Sequence, residues 1–98
     1  MYRSECVTQS AIHQDNGESW NLVYHLHFGT TEDGLEIYGL RIDKVGANGL
    51  VTESETTPAF TASKDEALAM ARAFAAGTVP PCVLLEMADE WLNSALPT

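Results

Sequence analysis

The chain has 98 residues, 45% of them hydrophobic and 19% charged, which fits one hydrophobic core and excludes both a second domain and a disordered chain. Fourteen acidic against five basic side chains leave a net charge of −9, which repels a phosphate backbone and disfavours direct nucleic-acid binding. No apolar run approaches the roughly 20 residues that span a bilayer, and residues 1 to 6 lack the layout of a signal peptide. The expectation is a cytoplasmic protein with Cys6 and Cys82 as reduced thiols.

In chain order, residues 6 to 13 read as a polar first strand, followed by Asp15-Asn16-Gly17-Glu18, whose Asn-Gly pair suits a tight hairpin turn. Residues 20 to 28 alternate with period two, placing Trp20, Leu22, Tyr24, Leu26 and Phe28 on one face of a second strand. The loop Gly29-Thr30-Thr31-Glu32-Asp33-Gly34 leads into a third strand, residues 36 to 45, with Tyr38, Leu40 and Ile42 on one face. Pairing Leu26 with Tyr38, Tyr24 with Leu40 and Leu22 with Ile42 makes the two apolar faces coincide. After the turn Gly46-Ala47-Asn48-Gly49, residues 50 to 57 extend as a fourth strand that is polar on both faces, which suits a sheet edge.

Beyond Pro58 the pattern changes period. Ser63-Lys64-Asp65-Glu66 forms a capping box, the serine oxygen serving the Glu66 amide and the glutamate returning to the serine amide. The helix it opens runs to Ala76 and ends at Gly77, which suits a left-handed cap. Its apolar arc, through Leu68, Ala75, Ala71, Ala67, Phe74, Met70 and Ala73, spans about 200° and asks for more than one neighbour. Pro81 suits the first position of a second helix, in which Val83, Leu84, Met87, Ala88, Trp91, Leu92 and Ala95 form one apolar stripe. Glu86, Asp89 and Glu90 make the opposite face acidic.

Tyr38-Gly39-Leu40-Arg41-Ile42 and, some forty residues later, Val79-Pro80-Pro81-Cys82-Val83-Leu84-Leu85-Glu86-Met87-Ala88-Asp89-Glu90-Trp91-Leu92 carry a resemblance. Over residues 37 to 95 the chain resembles a family of small uncharacterised bacterial proteins. In that family a Tyr-Gly-Ile-type strand precedes two helices, the second opening with Val-Thr-Pro; Pro80 stands here in place of the threonine. The resemblance implies an architecture and no activity.

The candidate chemistries each lack a component. His25 and His27 project from one strand face and are the first suspects for a metal, but two imidazoles do not complete a site, and in this register the third strand sets Gly39 and Ile37 opposite them. Cys82 lies at a helix start, where unpaired amides favour a thiolate, without an adjacent histidine base; Cys6 is of uncertain facing. Glu53 and Glu55 share a strand face, as chance allows among fourteen acids. Trp20, Tyr24, Tyr38 and Trp91 are core residues before they are pocket residues.

The expected fold is therefore one α+β domain over residues 1 to 98, a four-stranded, mostly antiparallel meander (1 to 58) followed by a helical pair (63 to 96) packed on one face, ββββαα. Tyr24, Leu40 and Ile42 should meet Leu68, Phe74, Leu84, Met87 and Trp91. The other face should show Val23, His25, His27, Ile37, Gly39, Arg41 and Asp43, half apolar and uncovered. The functional expectation is a non-enzymatic interaction or regulatory module without a cofactor, self-associating or binding a protein partner. Its candidate surfaces are the sheet face (Val23, His25, His27, Ile37, Arg41), the polar edge strand and the acidic helix face (Glu86, Asp89, Glu90). A small-ligand or metal-binding protein using His25 and His27 is the alternative.

Overall fold

Two short loops with a shared geometry set the sheet. In each, three residues ending in glycine cross between strands. The Thr31 amide donates to the Leu35 carbonyl at 2.8 Å and the Gly34 amide to Thr31 at 2.9 Å, while Gly46 and Leu50 close the other loop at 3.0 Å with Gly49 donating to Gly46 at 2.9 Å. Gly34 and Gly49 take φ of +83° and +82°, the left-handed residue that ends a three-residue hairpin loop. The computed structural model describes residues 3–13, 17 and 19–95. Within it the strands β1 (Arg3–His13), β2 (Ser19–Thr30), β3 (Glu36–Val45) and β4 (Val51–Thr56) form one antiparallel sheet in the order β1-β2-β3-β4. The meander is as the sequence predicts; the Asp15-Asn16-Gly17-Glu18 turn lies largely outside the described residues.

Closure at Thr31 and Leu35 sets a register two residues from the expected one. Phe28 lies opposite Tyr38, Leu26 opposite Leu40 and Tyr24 opposite Ile42. A shift of two preserves the face of every side chain, so hydrophobic matching alone does not distinguish the two registers. β1 carries a bulge at Val7, between the Cys6–His25 and Thr8–Tyr24 pairs.

Beyond β4 the chain stays against β3. Thr57 is buried, its amide donating to the Leu40 carbonyl at 2.8 Å and its Oγ1 accepting from the Leu40 amide at 2.9 Å. This approach requires Gly39, because a Cβ there would stand 2.9 Å from both the Pro58 carbonyl oxygen and Thr57 Oγ1.

The helix α1 (Lys64–Ala76) starts at Ser63, whose Oγ accepts from the Glu66 amide at 3.3 Å. The other half of the expected capping box is rerouted. The Ser63 amide donates to Thr61 Oγ1 at 3.0 Å, and the Thr61 hydroxyl donates to the Glu66 carboxylate at 3.1 Å. The helix end also differs from expectation. Gly77 has φ −88°, and the left-handed residue is Thr78 at φ +52°. Val79 donates to Phe74 at 3.0 Å and Thr78 to Ala75 at 3.1 Å, the paired bonds of a Schellman stop. These bonds require the residue after Gly77 to reverse the chain.

A 3-10 turn, Pro81–Val83, precedes α2 (Leu84–Ala95), so the α-helix itself begins three residues later than Pro81. Both helices cover the face carrying Leu22, Tyr24, Leu26, Tyr38, Leu40 and Ile42, which packs with Ala67, Met70, Ala71, Phe74, Val79, Leu84 and Ala88. Each fully buried Leu, Ile or Met contributes on the order of 1.5–3 kcal/mol. Leu68, Met87 and Trp91 pack at the rim rather than in the centre, with the Trp91 ring edge-on to Phe74 at 6.0 Å. Among the described residues no helix is long and apolar enough to cross a membrane.

Two substitutions test this reading by chemical denaturation. Gly39→Ala forces backbone or side-chain movement around Thr57 and Pro58 and is expected to cost about 1–3 kcal/mol. Thr78→Gly removes a left-handed penalty of about 1–2 kcal/mol against a glycine entropy cost of about 0.5–1 kcal/mol, so the net expectation is a small stabilisation.

Candidate interaction face

On β2 and β3 the odd-numbered residues point away from the helices. Val23, His25 and His27 therefore share a face with Ile37, Gly39, Arg41 and Asp43, as their alternation requires. The observed register changes their neighbours. His25 lies opposite Arg41 rather than Gly39, and His27 opposite Gly39 rather than Ile37.

With Arg41 across from it, His25 is diagonal to Asp43, and an ordered cluster forms. His25 Nε2 donates to Asp43 Oδ2 at 3.1 Å, an Arg41 terminal nitrogen donates to the same oxygen at 3.2 Å, and the Ser54 hydroxyl donates to Oδ1 at 2.6 Å. Asp43, expected to lie uncovered, is 7% exposed. Charge-assisted bonds from two adjacent strands enclose it. Asp43 accepts from Nε2, so that nitrogen carries the proton in the neutral ring and Nδ1 is the acceptor. The Nε of Arg41 is buried without a hydrogen-bond partner.

Ser54 is the member that sequence reasoning missed, because β4 is polar on both faces and its alternation marks no preferred residue. The recoverable signal was Arg41 and Asp43 two apart on one strand, opposite a histidine-bearing strand. Val23 and Ile37 flank the cluster, both half-buried.

Cys6, of uncertain facing in the sequence, lies opposite His25 and is exposed on the same face. Thiol, imidazole and carboxylate thus stand in a row across three strands. Among the described residues no hydrogen bond joins Cys6 to His25. Nor does any group of three His, Cys, Asp or Glu side chains converge to hold a metal among the described residues. Cys82 is exposed beside Pro81, remote in the fold from this row. Glu86, Asp89 and Glu90 are exposed on α2, on the helical side of the sheet, so the two sequence-predicted surfaces are not brought together.

A separate hollow of about 490 Å³ opens at one end of the sheet, between Gly17, Ser19 and Trp20 on one side and Gly46, Asn48 and Thr52 on the other. Lys44 Nζ stands 4.7 Å from the centroid of the Trp20 ring, and the indole N–H is buried without a partner.

Both imidazoles are held toward the neutral form. For His25, burial and then the Arg41 charge lower the pKa and together outweigh the opposing pull of Asp43; for His27, burial and then Arg41 lower it. The folded state therefore binds fewer protons than the unfolded state just below the ordinary histidine value of 6.5. Their stabilising contribution is complete above that value and is lost as pH falls through the depressed folded values. Urea midpoints are accordingly expected to be lower at about pH 5.5 than at about pH 7.5, with a smaller difference in His25→Gln/His27→Gln. An unchanged difference in the double variant would assign the acid sensitivity to other groups.

No curated protein and no solved structure matches the chain. One family model, described as a family of unknown function, matches residues 3–94 and thus contains both the strand motif (38 to 42) and the helix motif (79 to 92) that carry the resemblance. The chain belongs to that family of unknown function, DUF6514.

Proposed function

We propose that this domain is a non-enzymatic protein-interaction module whose contact surface is the open sheet face around Val23, His25, His27, Ile37 and Arg41. The observation that carries the reading is the internal pairing of Asp43. Covering a surface costs several kcal/mol for each charge left unpaired, and a central carboxylate would ordinarily make this face expensive to bury. Here both carboxylate oxygens already accept hydrogen bonds, from His25, Arg41 and Ser54. The face is thereby prepared to lose its water.

The chemistry of the partner follows from the groups around the cluster. Val23 and Ile37 offer apolar contact, and the partly exposed guanidinium of Arg41 can donate to an acceptor. A protein surface presenting aliphatic or aromatic side chains around one backbone carbonyl or carboxylate fits these requirements. The lowered pKa of each histidine favours its uncharged form on this face.

The test is capture from extracts of the native cell, with bound proteins quantified for wild type, Val23→Glu, Ile37→Glu and Arg41→Ala. A partner is expected to be lost at least about tenfold with each face variant, as for central contacts of an interface. It should persist when Glu86, Asp89 and Glu90 are replaced by lysine. A partner held equally by wild type and all face variants, or lost only with the helix variant, would overturn the assignment.

A further inference from the structure

The two edges of the sheet differ in how they are protected. β4 is six residues long, carries Glu53 and Glu55, and is soon followed by Pro58, all features that discourage another strand from pairing. β1 is eleven residues long, and its two formal charges, Arg3 and Glu5, both precede the bulge at Val7. Beyond the bulge, Thr8-Gln9-Ser10-Ala11-Ile12 is a regular strand without a charge or a proline, and its outer side is a sheet edge.

α1 lies along this edge. The Ser10 hydroxyl donates to the Ala75 carbonyl at 3.3 Å, and Lys64 Nζ stands 4.0 Å from the Glu5 carboxylate, so both ends of the helix are placed beside β1. At about 100° per residue, Leu68 and Ala75 share the flank of Lys64, turned toward β1 and away from the centre of the core. Both are only half-buried. The broad apolar arc of α1 is thus left partly unused on the side where β1 lacks a strand neighbour.

Charge identifies what fits there. β1 and α1 together carry Arg3, Lys64 and Arg72 against Glu5, Asp65 and Glu66, so this side is neutral and the whole net charge of −9 resides on the rest of the chain. Two copies of so acidic a protein repel everywhere except through a neutral side, whereas a basic partner would be drawn to the acidic remainder.

The geometry points to a homodimer in which β1 of one copy pairs antiparallel with β1 of a second copy across a two-fold axis near Ser10. Opposed residues in an antiparallel pair share a face, so Gln9 lies opposite Ala11 of the second copy and Thr8 opposite its Ile12. The pairing doubles the four-stranded sheet, keeps all helices on one side, and sets the Ala75 ends of the two α1 helices near the two-fold axis. The interface leaves the open sheet face uncovered, so this inference stands independently of the proposed function.

Sedimentation of the intact chain from about 5 to about 200 μM covers the micromolar range reasonable for a small interface. Wild type is expected to be dimeric at the upper end. Gln9→Lys/Ala11→Lys, at two exposed positions, sets like charges opposite each other and should weaken the dimer at least about tenfold, with unchanged circular dichroism confirming the fold. Gln9→Lys/Ala11→Glu sets opposite charges face to face and should restore the dimer, an outcome specific to this register. Val23→Glu, on the open face, should leave it intact. A wild-type monomer throughout the range would overturn the proposal, as would a dimer indifferent to the double lysine variant or one broken by Val23→Glu.

Discussion

The Tyr24 hydroxyl sits in the middle of the core and donates to the Val79 carbonyl at 2.9 Å. Leaving either group unpaired at that depth would cost about 1–3 kcal/mol, so the linker between the helices is held over the centre of β2. Burial pushes the phenol up to about 12, which keeps it a donor across the physiological range. With the linker fixed there, α1 has to stop and the chain has to reverse within two residues, which explains why a β-branched Thr78 is tolerated at positive φ. Fixing the linker also commits both helices to the same side of the sheet. The face around His25 is open as a consequence.

Element type and order were legible in the sequence because hydrophobic period and punctuation agree. The alternation from Trp20 to Phe28 and the Ser63 cap each rest on a local rule that tertiary contacts did not override. The failures share a different cause. The Gly77 cap was misplaced by one residue because a glycine is permitted a left-handed conformation without being required to adopt it. The Glu66 side chain went to Thr61 because a hydroxyl two residues before the cap competes for the same carboxylate. Both outcomes depend on where the chain is going, which local propensity does not encode.

The open face was legible as a set of residues and illegible as an arrangement. Alternation alone places Val23, His25, His27, Ile37 and Arg41 together, whatever the register. The contacts of Asp43 depend on the register itself. In the expected pairing His25 would sit opposite Gly39, two residues from Arg41 along β3 and further still from Asp43. The sequence therefore suggested two imidazoles without a third group, whereas the folded chain pairs one of them with a buried carboxylate. The difference makes His25 part of an internally bonded cluster with Asp43, Arg41 and Ser54.

What selects that register is not at the site. Glu32-Asp33-Gly34 closes the β2–β3 hairpin through Thr31 and Leu35, and the left-handed glycine at its end fixes how many residues the loop contains. A loop of the same kind at Ala47-Asn48-Gly49 closes β3 against β4, with the pair shift between Lys44 and Val45 setting Ser54 opposite Asp43. The His25–Asp43–Ser54 line is thus set from two exposed turns at opposite ends of β3. A slip of two residues in either hairpin would leave every side chain on its own face while separating the carboxylate from a donor. The buried, charged Asp43 works against such slips, since either one would break one of its hydrogen bonds and leave the oxygen without that donor. The apolar face supplies most of the stability, and the polar face adds a preference for one register over its hydrophobically equivalent neighbour.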